Sequence, residues 1–197
     1  MSAGRRRRGT KPSTQPPLTA PPPPPPREPV FWFGFAIPWA KLAAARVLFF
    51  SLLAVDAVLA IRHSPGYGAG AFNVAQLPGL DALGPTRPLH ALAELVCAYL
   101  FVLIACNVAT RFALPVATAL YGWLYFGSQL DAYQHHYLIT LILIVACAVP
   151  WRAPEGVTPA TPIASWAIRL LLVQLAIVYL WAAIAKLSPA WLDGTTL

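Results

Sequence analysis

Apolar residues dominate the chain from about residue 30 onward, broken by short polar stretches. Five runs approach the length needed to cross a bilayer core, about 20 residues as a helix. They are 42–61 (LAAARVLFFSLLAVDAVLAI), 89–106, 112–130 (FALPVATALYGWLYFGSQL), 137–149 and 165–187 (SWAIRLLLVQLAIVYLWAAIAKL). The fourth is short, and drawing Tyr133, His135 and His136 into it brings it closer to full length. In hydrocarbon every backbone N–H and C=O must be satisfied within the protein, so such runs form helices or closed barrels. Their length predicts helices. The expected fold is all-α: a polytopic membrane helix bundle with about five transmembrane helices behind a disordered, Pro-rich N-terminal tail.

The segments between the runs divide the chain. Residues 1–29 are basic and Pro-rich; Pro16, Pro17 and the run Pro21 to Pro26 forbid helix and favour extended polyproline II, predicting a disordered spacer. Residues 30–40 (VFWFGFAIPWA) are too few to span, and their Trp and Phe suit an interfacial segment. Residues 42–197 then make one transmembrane domain. Within it, 62–88 is a long Gly- and Pro-punctuated loop, a length at which loops are often functional. The chain stops ten residues after the fifth run, so a fragment or a minimal member of a longer family is expected.

Composition narrows the class. Hydrophobic residues make up 58% and charged residues 11%, against roughly 25% charged in a soluble domain. Mean hydropathy is +0.61. An ordinary soluble globule is excluded, as is disorder over most of the chain. The net charge is +7, and Arg5 to Arg8 with Lys11 place five cations in the first eleven residues. Ahead of an apolar chain such a tail sets topology rather than binding nucleic acid, so no nucleic-acid partner is expected. The Pro-rich spacer also separates it from any apolar run, unlike a secretory signal. A cytoplasmic N-terminus puts Arg111 and Arg152 inside, and Asp131, His135, His136, Lys186 and the C-terminus on the outer side.

Polar groups inside the runs are the candidate chemistry, because a charge at the bilayer centre costs at least about 2.5–3.5 kcal/mol. Lys186, near the end of the last run, is either a snorkelling interfacial lysine or an amine desolvated enough to act as a general base. Tyr179, seven residues earlier, shares its face, and Ala182 and Ala183 leave space beside it for a ring or another helix. His135 and His136 point about 100° apart, so one of them faces a given pocket most easily. His90 and Glu94, four apart, share a helix face, and with Asp56 they make either a proton path or structural glue. Arg169 is expected to snorkel inward and Gln174 to bond another helix. Cys97, Cys106 and Cys147 lie in apolar runs with no CxxC pair, and no ligand cluster has metal-site spacing, so neither thiol redox chemistry nor a metal is expected.

The order of LFFSLLAVDAVL (48–59), PGLDAL (78–83), DAYQHHYLITLI (131–142) and VQLAIVYLWAAIAKLSPAWLDG (173–194) resembles the vitamin K-dependent gamma-glutamyl carboxylase family, which includes the bacterial HTTM proteins. The strongest piece is Ile177, Val178, Tyr179, Ala185, Lys186, Leu187 and Trp191, supported by Gln134, His135, Tyr137 and Leu138. The resemblance covers about residue 42 to the end. It implies a bacterial inner-membrane enzyme that oxidises reduced vitamin K with O2, generating a strong base that removes a γ-proton from a peptide glutamate for capture by CO2. By the same resemblance Lys186 falls on the catalytic lysine and His135 on a histidine that stabilises the proton-transfer intermediate. Tyr179, His136, Ala183 and Trp191 would then surround the quinol. The implied partners are the lipid bilayer, a hydrophobic quinol and a Glu-containing peptide or protein. The sequence departs from the family at Leu172, where an Arg is usual, and at Ala183, where a Gly is common. The alternative is a non-catalytic helix-bundle fragment, or a binding or transport module.

Overall fold

The computed structural model describes residues 35–68, 74–77, 81–131, 134–153, 155–187 and 191. The expected disordered tail and residues 30–34 of the aromatic segment lie outside them. Among the described residues five α-helices form: α1 Trp39–Ala60, α2 Arg87–Ala105, α3 Thr110–Phe126, α4 Gln134–Ala146 and α5 Trp166–Ala185. The protein is an all-α membrane bundle. Three helical stretches are long and apolar enough to span: α1 with its continuing 3-10 turn (Trp39–Gly66), α2 and α5. Helix α4 is 13 residues, about 20 Å at 1.5 Å per residue, and does absorb His135 and His136.

A short antiparallel ladder closes one end. Strand β1 (Ala36–Pro38) pairs with β2 (Pro162–Ala164), with Ile37 opposite Ile163. The sequence pattern shows only an interfacial segment and a loop here, because three residues carry no periodicity. The ladder also completes α1, which has no side-chain cap. Its first N–H groups donate to loop carbonyls instead, Trp39 to Thr161 O at 2.9 Å and Ala40 to Pro159 O at 3.0 Å.

The same end is tied by Arg46, which is buried on α1. Its Nη1 donates to Trp151 O at 2.7 Å and its Nε to Ala105 O at 3.4 Å. One side chain thus joins α1, the end of α2 and the chain after α4. Beside it the core is aromatic: Phe50 meets Trp151 edge-on at 5.8 Å and Phe101 at 6.1 Å. Lipid is as apolar as these side chains, so tight packing rather than water exclusion holds the helices together. The buried alanines Ala54 and Ala57 on α1 and Ala93 and Ala98 on α2 allow that close approach.

Helix α3 stops at Phe126 rather than near 130. Gly127 is the C-cap: its N–H donates to Trp123 O at 2.8 Å, and a Cβ there would lie 2.7 Å from that oxygen and 3.1 Å from Pro85 Cδ, so the position takes glycine. The exposed carbonyls of this end are met by the long loop. Gln76 donates through its backbone N–H to Phe126 O at 3.0 Å and through Nε2 to Tyr125 O and to Ser128 O. This part of the loop is therefore a helix cap. Helix α5 packs on α4, buries Ala167 and Ile168, half-buries Arg169, Leu171 and Gln174, and from Leu175 onward presents exposed, mostly apolar side chains, as a lipid-facing span does. Gln174 Nε2, expected to bond another helix, is buried with no hydrogen-bond partner among the described residues.

Candidate functional site

At the end of the bundle opposite Arg46 the helix ends enclose a cavity of about 550 Å³. Its wall comes from the C-terminal end of α1 and the turn after it, the N-terminal part of α2, the C-terminal part of α3 and the first turn of α4. All four histidines of the chain line it, with Asp56 and Glu94. Polar groups scattered over more than 70 positions thus converge on one space.

One half of the wall is built on His90. The 3-10 turn Ile61–Gly66 that continues α1 brings Ser64 Oγ to 2.9 Å from His90 Nδ1. Tyr67 then stacks on the imidazole, ring centroids 3.6 Å apart and planes inclined by 23°. Gly68 makes this turn possible: its φ is +74°, and a Cβ would approach Thr86 Cα to 3.3 Å. Glu94 Oε1 lies 3.7 Å from His90 Nε2, the shared helix face expected from their spacing. Serine, histidine and glutamate here have the composition of a hydrolytic triad but not its geometry. Ser64 is buried, and 3.7 Å is beyond hydrogen-bonding distance.

The other half joins α3 to α4. Tyr121 OH lies 2.7 Å from His136 Nδ1, and the backbone carbonyl of His136 accepts from Thr140 Oγ1 at 2.8 Å. His135, exposed, stands beside it with ring centroids 4.1 Å apart. Both histidines line the cavity, so the 100° between them does not exclude either. The pair Tyr121–His136 is a phenol and an imidazole in direct contact, able to hold or pass a proton at the cavity wall. The cavity volume falls in the range of small-molecule pockets, and its lining mixes apolar and polar side chains.

The remaining candidates lie elsewhere. Tyr179, Ala183 and Lys186 are exposed on the last turns of α5, with Lys186 as its C-cap residue. Lys186 Nζ stands 5.8 Å from the centre of the Trp191 ring. None of the four is among the residues lining the histidine cavity. Arg169, near the start of α5, lies 4.8 Å over the Phe35 ring. Cys97 is buried, Cys106 and Cys147 are exposed, and all three are free thiols.

Family comparison adds to this geometry. The HTTM domain model matches residues 36–197. The chain belongs to the HTTM domain family. HTTM is the domain of vitamin K-dependent carboxylase-like proteins. Neither a curated protein nor a solved structure matches. In this HTTM protein the matched region begins at β1 and takes in every described helix.

Four polar residues of the site escape the sequence reading: Ser64, Tyr67, Tyr121 and Tyr125. Tyr121 was within reach of it. Helices α3 and α4 run back along one another across a short connection, so the last turns of α3 face the first turn of α4. Tyr121 and His136 meet in this way, fifteen residues apart. Ser64 and Tyr67 act through a 3-10 turn, for which no apolar periodicity exists.

Proposed function

We propose that this HTTM protein is a vitamin K-dependent gamma-carboxylase-like enzyme of the bacterial inner membrane, working on its outer side. The observation that carries the proposal is the cavity at one end of the bundle, where four histidines, two carboxylates and three tyrosines gather in a chain otherwise poor in polar groups. Reduced vitamin K supplies the oxidative chemistry with O2, and CO2 is the carboxyl donor to a glutamate of a peptide or protein.

The chain's own residues have assignable tasks. His135 and His136 face the quinol ring and stabilise charge at its oxygen, with Tyr121 orienting the His136 imidazole. Lys186 is the base that takes the quinol proton, and Tyr179, Ala183 and Trp191 flank it. A lysine is a general base near neutral pH only where its amine is desolvated. Lys186 is exposed in the isolated chain and does not line the cavity, so in this proposal the quinol bridges from the histidines to the end of α5 and does the covering. Entry from the bilayer between α4 and α5 suits a hydrophobic ring.

A second reading, a non-catalytic module that packs against partner helices, draws on α5, whose Leu172, Tyr179, Leu180 and Trp181 are all exposed.

Photo-crosslinking tests the binding half of the proposal. A photoreactive naphthoquinone incubated with membranes containing the chain is expected to label peptides from the start of α4 and the end of α5. Excess reduced vitamin K is expected to suppress the labelling. Labelling that ignores competition, or that spreads evenly over the lipid-facing helices, would contradict a quinol site here.

A further inference from the structure

A second, smaller cavity of about 230 Å³ opens at the Arg46 end, between the start of α3 and the chain leaving α4. Its inner wall is apolar, formed by Leu114, Pro115, Val149 and Trp151 among others. Its rim carries Arg111 and Arg152, both exposed. Among the described residues no carboxylate forms an ion pair with either guanidinium. The bundle is also polarised by charge. Lys41, Arg46, Arg111, Arg152 and Arg169 belong to this end and are opposed there by Glu155, whereas at the other end Arg62, Arg87 and Lys186 are matched by Asp56, Asp81 and Glu94.

Two guanidinium groups beside an apolar wall at a membrane-facing end call for a ligand of two parts. Guanidinium binds phosphate oxygens in bidentate fashion. A basic pocket between transmembrane helices is a known setting for anionic lipid headgroups. A free phosphate would gain nothing from Leu114, Pro115 and Val149, and a neutral lipid would gain nothing from the arginines. We propose that this cavity binds an anionic phospholipid, its phosphodiester held by Arg111 and Arg152 and an acyl chain laid against Leu114, Pro115 and Val149. The site is independent of the quinol chemistry and lies at the opposite end of the bundle.

Native mass spectrometry of the full chain, released from micelles holding equal phosphatidylglycerol and phosphatidylcholine, reads the preference directly. Two cations at the headgroup level are expected to favour the phosphatidylglycerol adduct about tenfold or more. The Arg111→Gln, Arg152→Gln double variant is expected to lose that preference, and the corresponding double lysine variant to keep part of it. Both arginines are exposed, so folding is not at stake; the single Arg152→Gln variant carries the same test should the pair misfold. The basic tail is the competing source of attraction. A full chain with Arg5 to Arg8 and Lys11 changed to Gln is expected to retain the preference, and excess inorganic phosphate is expected not to displace the lipid. Equal retention of both lipids, a preference that survives in the double glutamine variant, one that disappears with the tail charges, or displacement by phosphate would each overturn the site.

Discussion

Replacing Lys186 with alanine is expected to lower oxygen-dependent turnover of reduced vitamin K by about 10²–10⁴-fold, the usual contribution of a positioned general base. Arginine at the same position is expected to lose as much. Its guanidinium keeps its proton under all physiological conditions, so it can snorkel as lysine does but cannot accept a proton. The comparison separates the two roles open to this residue. An interfacial anchor would be rescued by arginine; a base would not. The exposure of Lys186 at the end of α5 makes the test clean, because neither substitution opens a cavity or strands a buried partner. Protein level in the membrane fraction, measured beside turnover, is expected to stay unchanged. Full turnover in the arginine variant would remove Lys186 from the chemistry and strengthen the reading of α5 as a docking helix.

Arg46→Ala is expected to produce the largest loss of stability. The substitution removes a charge-assisted hydrogen bond to Trp151 O and a longer one to Ala105 O, and leaves both carbonyls without that donor. Hydrogen bonds to charged groups contribute about 1.5–3 kcal/mol each, so a loss on the order of 3 kcal/mol is reasonable. At about 2–4 °C per kcal/mol for a chain of this size, the unfolding midpoint in detergent should fall by about 10 °C. Arg46→Lys is expected to recover a minority of it, since a single ammonium on a flexible stem does not reproduce the planar fork. A midpoint for Arg46→Ala within a degree or two of the unsubstituted chain would show that α1, α2 and the segment after α4 are joined by packing alone.

Much of the bundle was legible in the sequence because apolar run length is a strong signal in a membrane chain. Helix ends were less so. The expected third run overshot Phe126 by taking in Gly127, Ser128, Gln129 and Leu130, although Ser128 and Gln129 are polar; the helix ends at Gly127, where Gln76 arrives from the long loop to meet its last carbonyls. The β1–β2 ladder was invisible, since strands of three residues containing proline show neither alternation nor β-branched enrichment.

Legibility of the site followed the same division. His90 and Glu94 could be paired because helix geometry sets the distance between positions four apart. Placing His136 against Tyr121 needed the α3–α4 pairing, and placing Ser64 and Tyr67 against His90 needed a turn without periodicity. Arg46 is the instructive omission. A cation inside an apolar run calls for a named partner, yet its partners are backbone carbonyls 59 and 105 residues away, which no local pattern can reveal. Lys186, Tyr179 and Ala183 were grouped by helix spacing and Trp191 was added from the family pattern; the structure keeps Lys186 and Trp191 near one another but apart from the histidine wall.

Oxidation of a reduced naphthoquinone is the activity proposed for this HTTM protein. Its most direct test is epoxide formation from reduced vitamin K in sealed proteoliposomes containing the full chain, followed chromatographically with and without oxygen. The account predicts epoxide that accumulates only with oxygen and only where the protein is inserted. Well-inserted protein that forms no epoxide above empty liposomes would contradict it.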